Sequence, residues 1–269
     1  MNRGRLGAVN PITTATTVDE QRRAATVAVL PVGSFEQHGA HLPLATDTLI
    51  ASVIAKATAE HYDLLLLPPV TISCSHEHVG WSGTVSISAR TLMLLIDDIA
   101  ASLHRSGIDH LVLVNGHGGN YVLANIVQEA NVDGPRMALF PGREDWDRAR
   151  TDADLRSSAH DDMHAGELET SILLHTMPDV VRPGYQDADH VSDRPHLLIT
   201  GMRGYTTTGV LGRPSLATEA KGKAILDSLV TSFSATLNVL RQSVPLPVAG
   251  HDTSVNSAVA GARGQHPAT

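Results

Sequence analysis

Apolar positions along this chain fall into short dense runs separated by longer segments with helical spacing. The runs ATVAVLPV (25–32), LLLLPPV (64–70), HLVLVNG (110–116) and RMALFPG (136–142) lack the apolar–polar alternation of a half-exposed strand. Each therefore predicts a strand buried on both faces. Between the first two, Leu49, Ile50, Val53, Ile54 and Ala57 recur at intervals of three and four, which predicts a helix from Thr48 to His61. Ser88 to Arg105 repeats that spacing and stops before Gly107, a residue suited to end a helix. The alternation predicts an α/β protein, a three-layer α/β/α sandwich with a mainly parallel central sheet. Ligands of such sheets bind in crevices at the carboxyl ends of the strands.

Past about residue 180 the pattern lapses. The stretch RPGYQDADHVSDRPHLLITGMRGYTTTGVLGRPS is rich in Gly, Pro, Thr and Asp and has no clear period. It predicts a long arm (183–215) that covers a site or builds a subunit contact. A last amphipathic helix is expected from Thr218 to Arg241. Residues 1–24 read as a flexible segment, 25–243 as one domain and 244–269 as a disordered tail.

Composition narrows the partners. With 269 residues, 42% of them hydrophobic, the chain can build one substantial core. A formal net charge of -8 argues against a broad basic surface, so a small molecule is expected as partner rather than nucleic acid. No apolar stretch approaches the ~20 residues of a membrane span, and no membrane partner is expected. The single cysteine, Cys74, allows neither an internal disulfide nor a Cys-based zinc site, which suits a reducing cytoplasm. Any metal must then be held by His and carboxylates.

Three segments offer such groups. GSFEQHGAHLPLATD (33–47) follows the first predicted strand at once. Glu36 and His38, two apart, point the same way from extended backbone. Asp47 stands at a helix start, where it either binds a metal or caps free N–H groups. His41 reads as packing, or as support behind the ligands, rather than as a ligand. In LVLVNGHGGN a strand runs into His117 flanked by Gly116, Gly118 and Gly119, which let backbone approach a ligand closely. A phosphate-binding turn is the alternative, but P-loop spacing and its Lys are missing. In DDMHAGELETS (161–171), Glu167 and Glu169 lie on different faces of a helix that begins near Ala165, so one can ligate while the other orients. Both also suit an ordinary acidic first turn.

Glu36, His38, Asp47, His117 and Glu167 together make a mixed nitrogen and oxygen set that suits Zn²⁺, Mn²⁺ or Fe²⁺. Five ligands exceed one open tetrahedral site but serve two ions that share a carboxylate, an arrangement that activates water for hydrolysis. His164 could then protonate a leaving nitrogen, and backbone N–H groups near Gly118 and Gly119 could support an oxyanion. Glu169 joins His164 as a catalytic candidate. His78, Trp81 and His160, with Gly118 and Gly119, are the candidate substrate contacts.

PVGSFEQHGAHLPLATDT, NGHGGN and HAGELETS, in that order and with EHVGWSGTVSIS (77–88) between the first two, resemble the creatininase (creatinine amidohydrolase) family over roughly residues 27–240. The resemblance implies an α/β/α fold with two divalent metal ions at the strand ends, commonly in a hexamer built from dimers, so a homo-oligomer, with a hexamer as the candidate form, is expected. By motif position it implies Glu36 and His117 on one metal, His38 on the other, Asp47 between them and His164 as the catalytic histidine. Creatininase draws its remaining carboxylate from a Glu where this chain has Gly119. Relatives with NGHGGN are taken to supply it from the position of Glu167. Creatininase also covers creatinine with a Trp where this chain has His160, so creatinine is not the expected substrate.

Other activities of that family are deformylation of a formamidopyrimidine nucleotide and peptide cleavage in mycofactocin maturation. The peptidase branch is taken to lack a Glu at position 167, which sets HAGELETS nearer the deformylase-like branch. The expected function is a dinuclear-metal amidohydrolase that cleaves the C–N bond of a small amide, formamide or cyclic amide through a metal-bound hydroxide. Alternatives are the mycofactocin-type peptidase, a mononuclear non-haem iron enzyme with two His and one carboxylate, and a binding protein whose metal is structural.

Overall fold

All six residues of Val27–Val32 are buried, and successive side chains enter different cores: Val27 and Val29 one, Ala28, Leu30 and Val32 the other. In the computed structural model, which describes residues 12–242, this run is β1 of a four-stranded parallel sheet of order β2-β1-β3-β4. The other strands are β2 (Leu65–Leu66), β3 (His110–Asn115) and β4 (Met137–Phe140). Leu30 pairs with Leu113, and Leu113 with Leu139. β3 splits like β1, Val112 and Val114 to one side and Leu111 and Leu113 to the other. A strand apolar on both faces must be covered on both, and that requirement makes three layers.

In chain order the helices are α1 (Thr17–Arg23), α2 (Thr46–Tyr62), α3 (Ala89–Arg105), α4 (Val122–Ala130), α5 (Arg143–Asp152), α6 (Glu167–Thr176), α7 (Leu197–Thr200) and α8 (Glu219–Arg241). α2, α5, α6 and α8 cover one face of the sheet through residues such as Ile54, Ala149, Ile172 and Phe233. α3 and α4 cover the other through Leu92, Ile96, Leu123 and Ile126. Among the described residues no helix is long and apolar enough to cross a membrane.

Two details differ from the sequence reading. The strand expected over 64–70 keeps only two ladder residues before Pro68 and Pro69, which have no N–H to donate. Pairing resumes just beyond them, where Val70 N–H donates to Pro31 O at 2.9 Å. The segment expected to be flexible at 1–24 contains α1, closed by a capping box between Thr16 and Asp19. The tail expected over 244–269 lies outside the described residues.

The arm over 183–215 consists of short turns and the four-residue α7. Its returning end is anchored by two antiparallel bridges, His190 with Gly212 and His164 with Leu211. The second bridge joins the arm to the backbone of a candidate catalytic residue.

Candidate metal centre and active site

The site grows from the carboxyl ends of β1 and β3. Two glycines let α2 press against those ends: a Cβ at Gly33 would lie 2.3 Å from Thr48 Cα, and one at Gly116 would lie 2.3 Å from Asp47 O. The start of α2, with Asp47, is thereby driven between the strands. Asp47 caps nothing. Its Oδ2 accepts from Ser34 Oγ at 2.6 Å and lies 2.9 Å from His117 Nδ1, while Oδ1 lies 3.0 Å from His38 Nε2. One carboxylate thus divides its two oxygens between two imidazoles.

The backbone sets how those rings face. His38 Nδ1 donates to Glu36 O at 3.0 Å, so Nε2 is the nitrogen turned to Asp47. His117 Nε2 donates to Cys74 O at 2.8 Å, so Nδ1 is the nitrogen turned to Asp47 and, at 3.3 Å, to Glu36 Oε1. A nitrogen lone pair aimed at carboxylate oxygens is repulsive unless a proton or a metal cation lies between them. Glu36 strengthens this conclusion, since both its oxygens are fully buried without a hydrogen-bond partner. Its Oε1 is surrounded by His78 Nε2 at 3.1 Å, His117 Nδ1 at 3.3 Å and His164 Nδ1 at 3.8 Å. Such a buried set of N and O donors fits divalent cations.

Gln37, absent from the sequence-based candidates, orders the remaining histidines. Its Nε2 donates to His78 Nδ1 at 3.0 Å and to Gly209 O at 3.1 Å, and His164 Nε2 donates to Gln37 O at 2.6 Å. His78 therefore turns an N–H towards Glu36, whereas His164 turns the bare Nδ1 inward. The His164 ring lies 4.1 Å from that of His38 and 4.5 Å from that of His78. Ala165 follows at φ +53°, a costly conformation for a residue with a Cβ. Glu169 accepts its N–H at 2.6 Å and His41 Nε2 donates to its carbonyl at 3.1 Å, which gives His41 a supporting part.

Glu169, not Glu167, turns to the centre. Candidate ligand atoms of His38, His164 and Glu169 lie within 4.8 Å of one another, as do those of Glu36, His38 and Asp47. Glu167 is fully buried elsewhere, accepting from Arg156 N at 3.1 Å, Ser157 N at 2.8 Å and Lys221 Nζ at 2.5 Å. The two do face different ways, but in the order opposite to the one expected. The reason is α8, which delivers the Lys221 ammonium to the outer side of the turn. Glu167 therefore lies outside the His and carboxylate cluster, paired with Lys221.

Without metal, protons hold these charges together. Burial pushes Glu36 up to about 8 and Glu169 up to about 7. Burial opposes protonation of His38, yet the charge and hydrogen bond of Asp47 raise it to about 9. Burial acts likewise on His117, and Glu36 and Asp47 carry it well above the usual histidine value. Burial takes His78 down to about 3 and, with the charges of His38 and His78, takes His164 well below its usual value. His164 is thus a neutral imidazole at neutral pH.

A cleft of about 500 Å³ reaches the site from the side of Gly118, Trp146, Met163, His164 and Glu169. Of the expected substrate contacts, Gly118 and the exposed His160 border it, the latter tied to Asp193 by Nε2 at 2.9 Å. The other three lie elsewhere. His78 is buried against Glu36, and Trp81 sits under the Arg203 guanidinium, 5.6 Å from its centroid. Gly119 is buried behind His117, facing Glu77. Gln37 and Glu77 were missed although both adjoin residues singled out by their chemistry; their proximity to Glu36, His38 and His78 was the only signal.

Parallel strands ending in a buried His and carboxylate cluster make this an α/β/α protein with a candidate metal centre at its strand ends. A family model described as "Creatininase: Creatinine amidohydrolase" matches residues 12–237, and the chain belongs to the creatininase family. It is 38% identical over 216 residues to a mycofactocin precursor peptide peptidase of Mycobacterium ulcerans, covering 75% of this chain and 80% of that one. It is 27% identical over 249 residues to the creatinine amidohydrolase of Pseudomonas putida, covering 81% and 90%. A solved structure titled "Creatininase Mn" superposes with a TM-score of 0.70 at 25% identity, covering 84% of this chain and 96% of that one. The chain is accordingly an amidohydrolase of this family, a metal-dependent hydrolase of C–N bonds.

Proposed function

We propose that this protein is a two-metal amidohydrolase that opens the C–N bond of a small amide, formamide or cyclic amide. The observation that carries this reading is the division of Asp47 between His38 and His117. Glu36, Asp47 and His117 would hold one ion, and His38, Asp47 and Glu169 the other. Divalent ions there, Zn²⁺, Mn²⁺ or Fe²⁺, supply Lewis acidity to the amide carbonyl and lower the pKa of water.

The residues do the rest. His164, held by Gln37 O at Nε2, takes a proton at Nδ1 from the attacking water and passes it to the departing nitrogen. This makes His164 first a base and only then the acid expected from sequence. Gly118 brings bare backbone to the cleft wall, where its N–H could meet a carbonyl oxygen. Burial of Glu36, His38 and Asp47 keeps bulk water from competing for the charges.

The test is a panel of formamides, lactams and cyclic ureas given to chelator-treated protein with each metal restored. Metal-dependent release of an amine or acid supports the reading. Two bound metals without turnover of any amide would reject it. A second reading places the bond in a precursor peptide, favoured by the 38% identity with the mycofactocin peptidase. Mass spectrometry of such a peptide after incubation separates the two. The single buried Cys74 supports a cytoplasmic location, and Leu198 and Ile199, exposed on α7, support a homo-oligomer whose order sedimentation would measure.

A further inference from the structure

The turn before α3 sends two neighbouring side chains to the site from different directions. His78 reaches Glu36, and Glu77 reaches the far side of His117, with Oε1 3.3 Å from Nε2. Nε2 is the nitrogen that already donates to Cys74 O at 2.8 Å, so its proton faces a carbonyl and a carboxylate together. The Glu77 side chain is only 12% exposed, and His117 is the only ion-pair partner it has among the described residues. A carboxylate withdrawn from water in this way is costly unless paired.

Gly119 explains how Glu77 gets there. Gly119 is not among the glycines with positive φ, so its backbone conformation does not call for glycine. Its space does. A Cβ at position 119 would lie 1.9 Å from Glu77 Oε1 and 2.4 Å from His117 Nε2. A side chain at 119 and the Glu77 carboxylate therefore exclude each other. The arm closes the same turn from outside, where a Cβ at Gly201 would lie 2.8 Å from Glu77 O.

We infer that Glu77 is the positioning residue of His117, occupying the volume vacated at Gly119 and holding the Nε2 proton so that Nδ1 is presented to the Glu36 and Asp47 side. Carboxylate–histidine pairs of this kind orient a metal-binding ring and raise its basicity. The inference rests on His117 as a ligand, and the experiment separates the two ideas.

Zn²⁺ affinity is measured by chelator competition for the wild-type chain, Glu77→Gln and Gly119→Ala, with urea unfolding as a control for folding. Glu77→Gln should weaken Zn²⁺ binding about 10–100-fold while saturating at the wild-type number of ions. Gly119→Ala should weaken it too, because its methyl would displace Glu77 and press on His117 Nε2 itself. The Nε2-bound proton resonance of His117 should move upfield in Glu77→Gln, with or without metal. Zn²⁺ affinity within twofold of wild type in a folded Glu77→Gln chain, or an unmoved His117 resonance, would overturn the inference. If the wild type binds no Zn²⁺, the ligand reading of His117 fails, and a shifted resonance would still support the contact.

Discussion

Replacing Glu167 with Gln separates structure from chemistry in the HAGELETS segment. Glu167 has no exposed surface and its oxygens are met by two backbone N–H groups and the Lys221 ammonium. Gln keeps one acceptor oxygen but turns an NH₂ group, a donor, towards partners that are themselves donors. Breaking a buried ion pair from one side costs about 3–5 kcal/mol. Lys221 softens this, being 16% exposed and also donating to Leu216 O at 2.9 Å, so the loss falls just below that range. The expected loss is about 2–3 kcal/mol, the range of a single hydrogen bond to a charged group. For a domain of this size that lowers Tm by roughly 4–12 °C.

The assay is thermal unfolding of the metal-free chain, paired with metal content by elemental analysis after reloading. Glu167→Gln should melt earlier yet reload fully. Glu169→Gln should do the reverse at pH 6, because burial holds Glu169 at about 7 and the amide mimics its protonated form. Its melting should barely change, and its metal affinity should fall. An unchanged Tm with one metal lost in Glu167→Gln would refute the placement of both carboxylates and restore Glu167 as the ligand.

Four further outcomes are expected. His164→Asn should retain its metal by elemental analysis and lose about 10²–10⁴-fold in kcat, the usual share of a proton-transfer group; loss of metal instead would make His164 a ligand. Metal uptake should release protons and tighten by about tenfold per pH unit for each proton displaced between pH 6 and 8, since Glu36, Glu169 and His38 hold theirs up to about 8, 7 and 9. Calorimetry in buffers of different ionisation enthalpy counts those protons. All three values are raised above the unfolded ones. The stability these groups give the metal-free fold is therefore fully present below the ordinary carboxylate value of 4.5 and lost progressively as pH climbs from there to about 9. Phe233→Ala should cost about 3–5 kcal/mol in urea unfolding, because its ring is fully buried between Phe140 at 5.0 Å and Tyr62 at 5.4 Å.

The layers were legible because burial on both faces leaves a mark on every residue of a strand. The runs at 25–32 and 110–116 became β1 and β3 within two residues at each end, and Thr218 to Arg241 became α8 with Thr218 as its cap. Where the reading erred, the competing cause was local but weak in sequence: the capping box that makes α1, and two prolines that cut β2 short. The site was legible by residue type. Glu36, His38, Asp47, His117 and His164 could be singled out because so many polar groups at strand ends have no structural use, and the fold brings all five together.

What the sequence alone determined was therefore the order of strands and helices and the chemical kind of centre at their ends, both written in residue types and short periods. Only the tertiary structure decided which acidic residue belongs to that centre. Glu167 and Glu169 share one helical turn, and Lys221, which claims Glu167, comes from 54 positions away. Glu77 and Gly119 are coupled in the same manner, through a volume that only one side chain can fill. Choices of this sort depend on which distant element arrives beside a residue, and no local pattern records them.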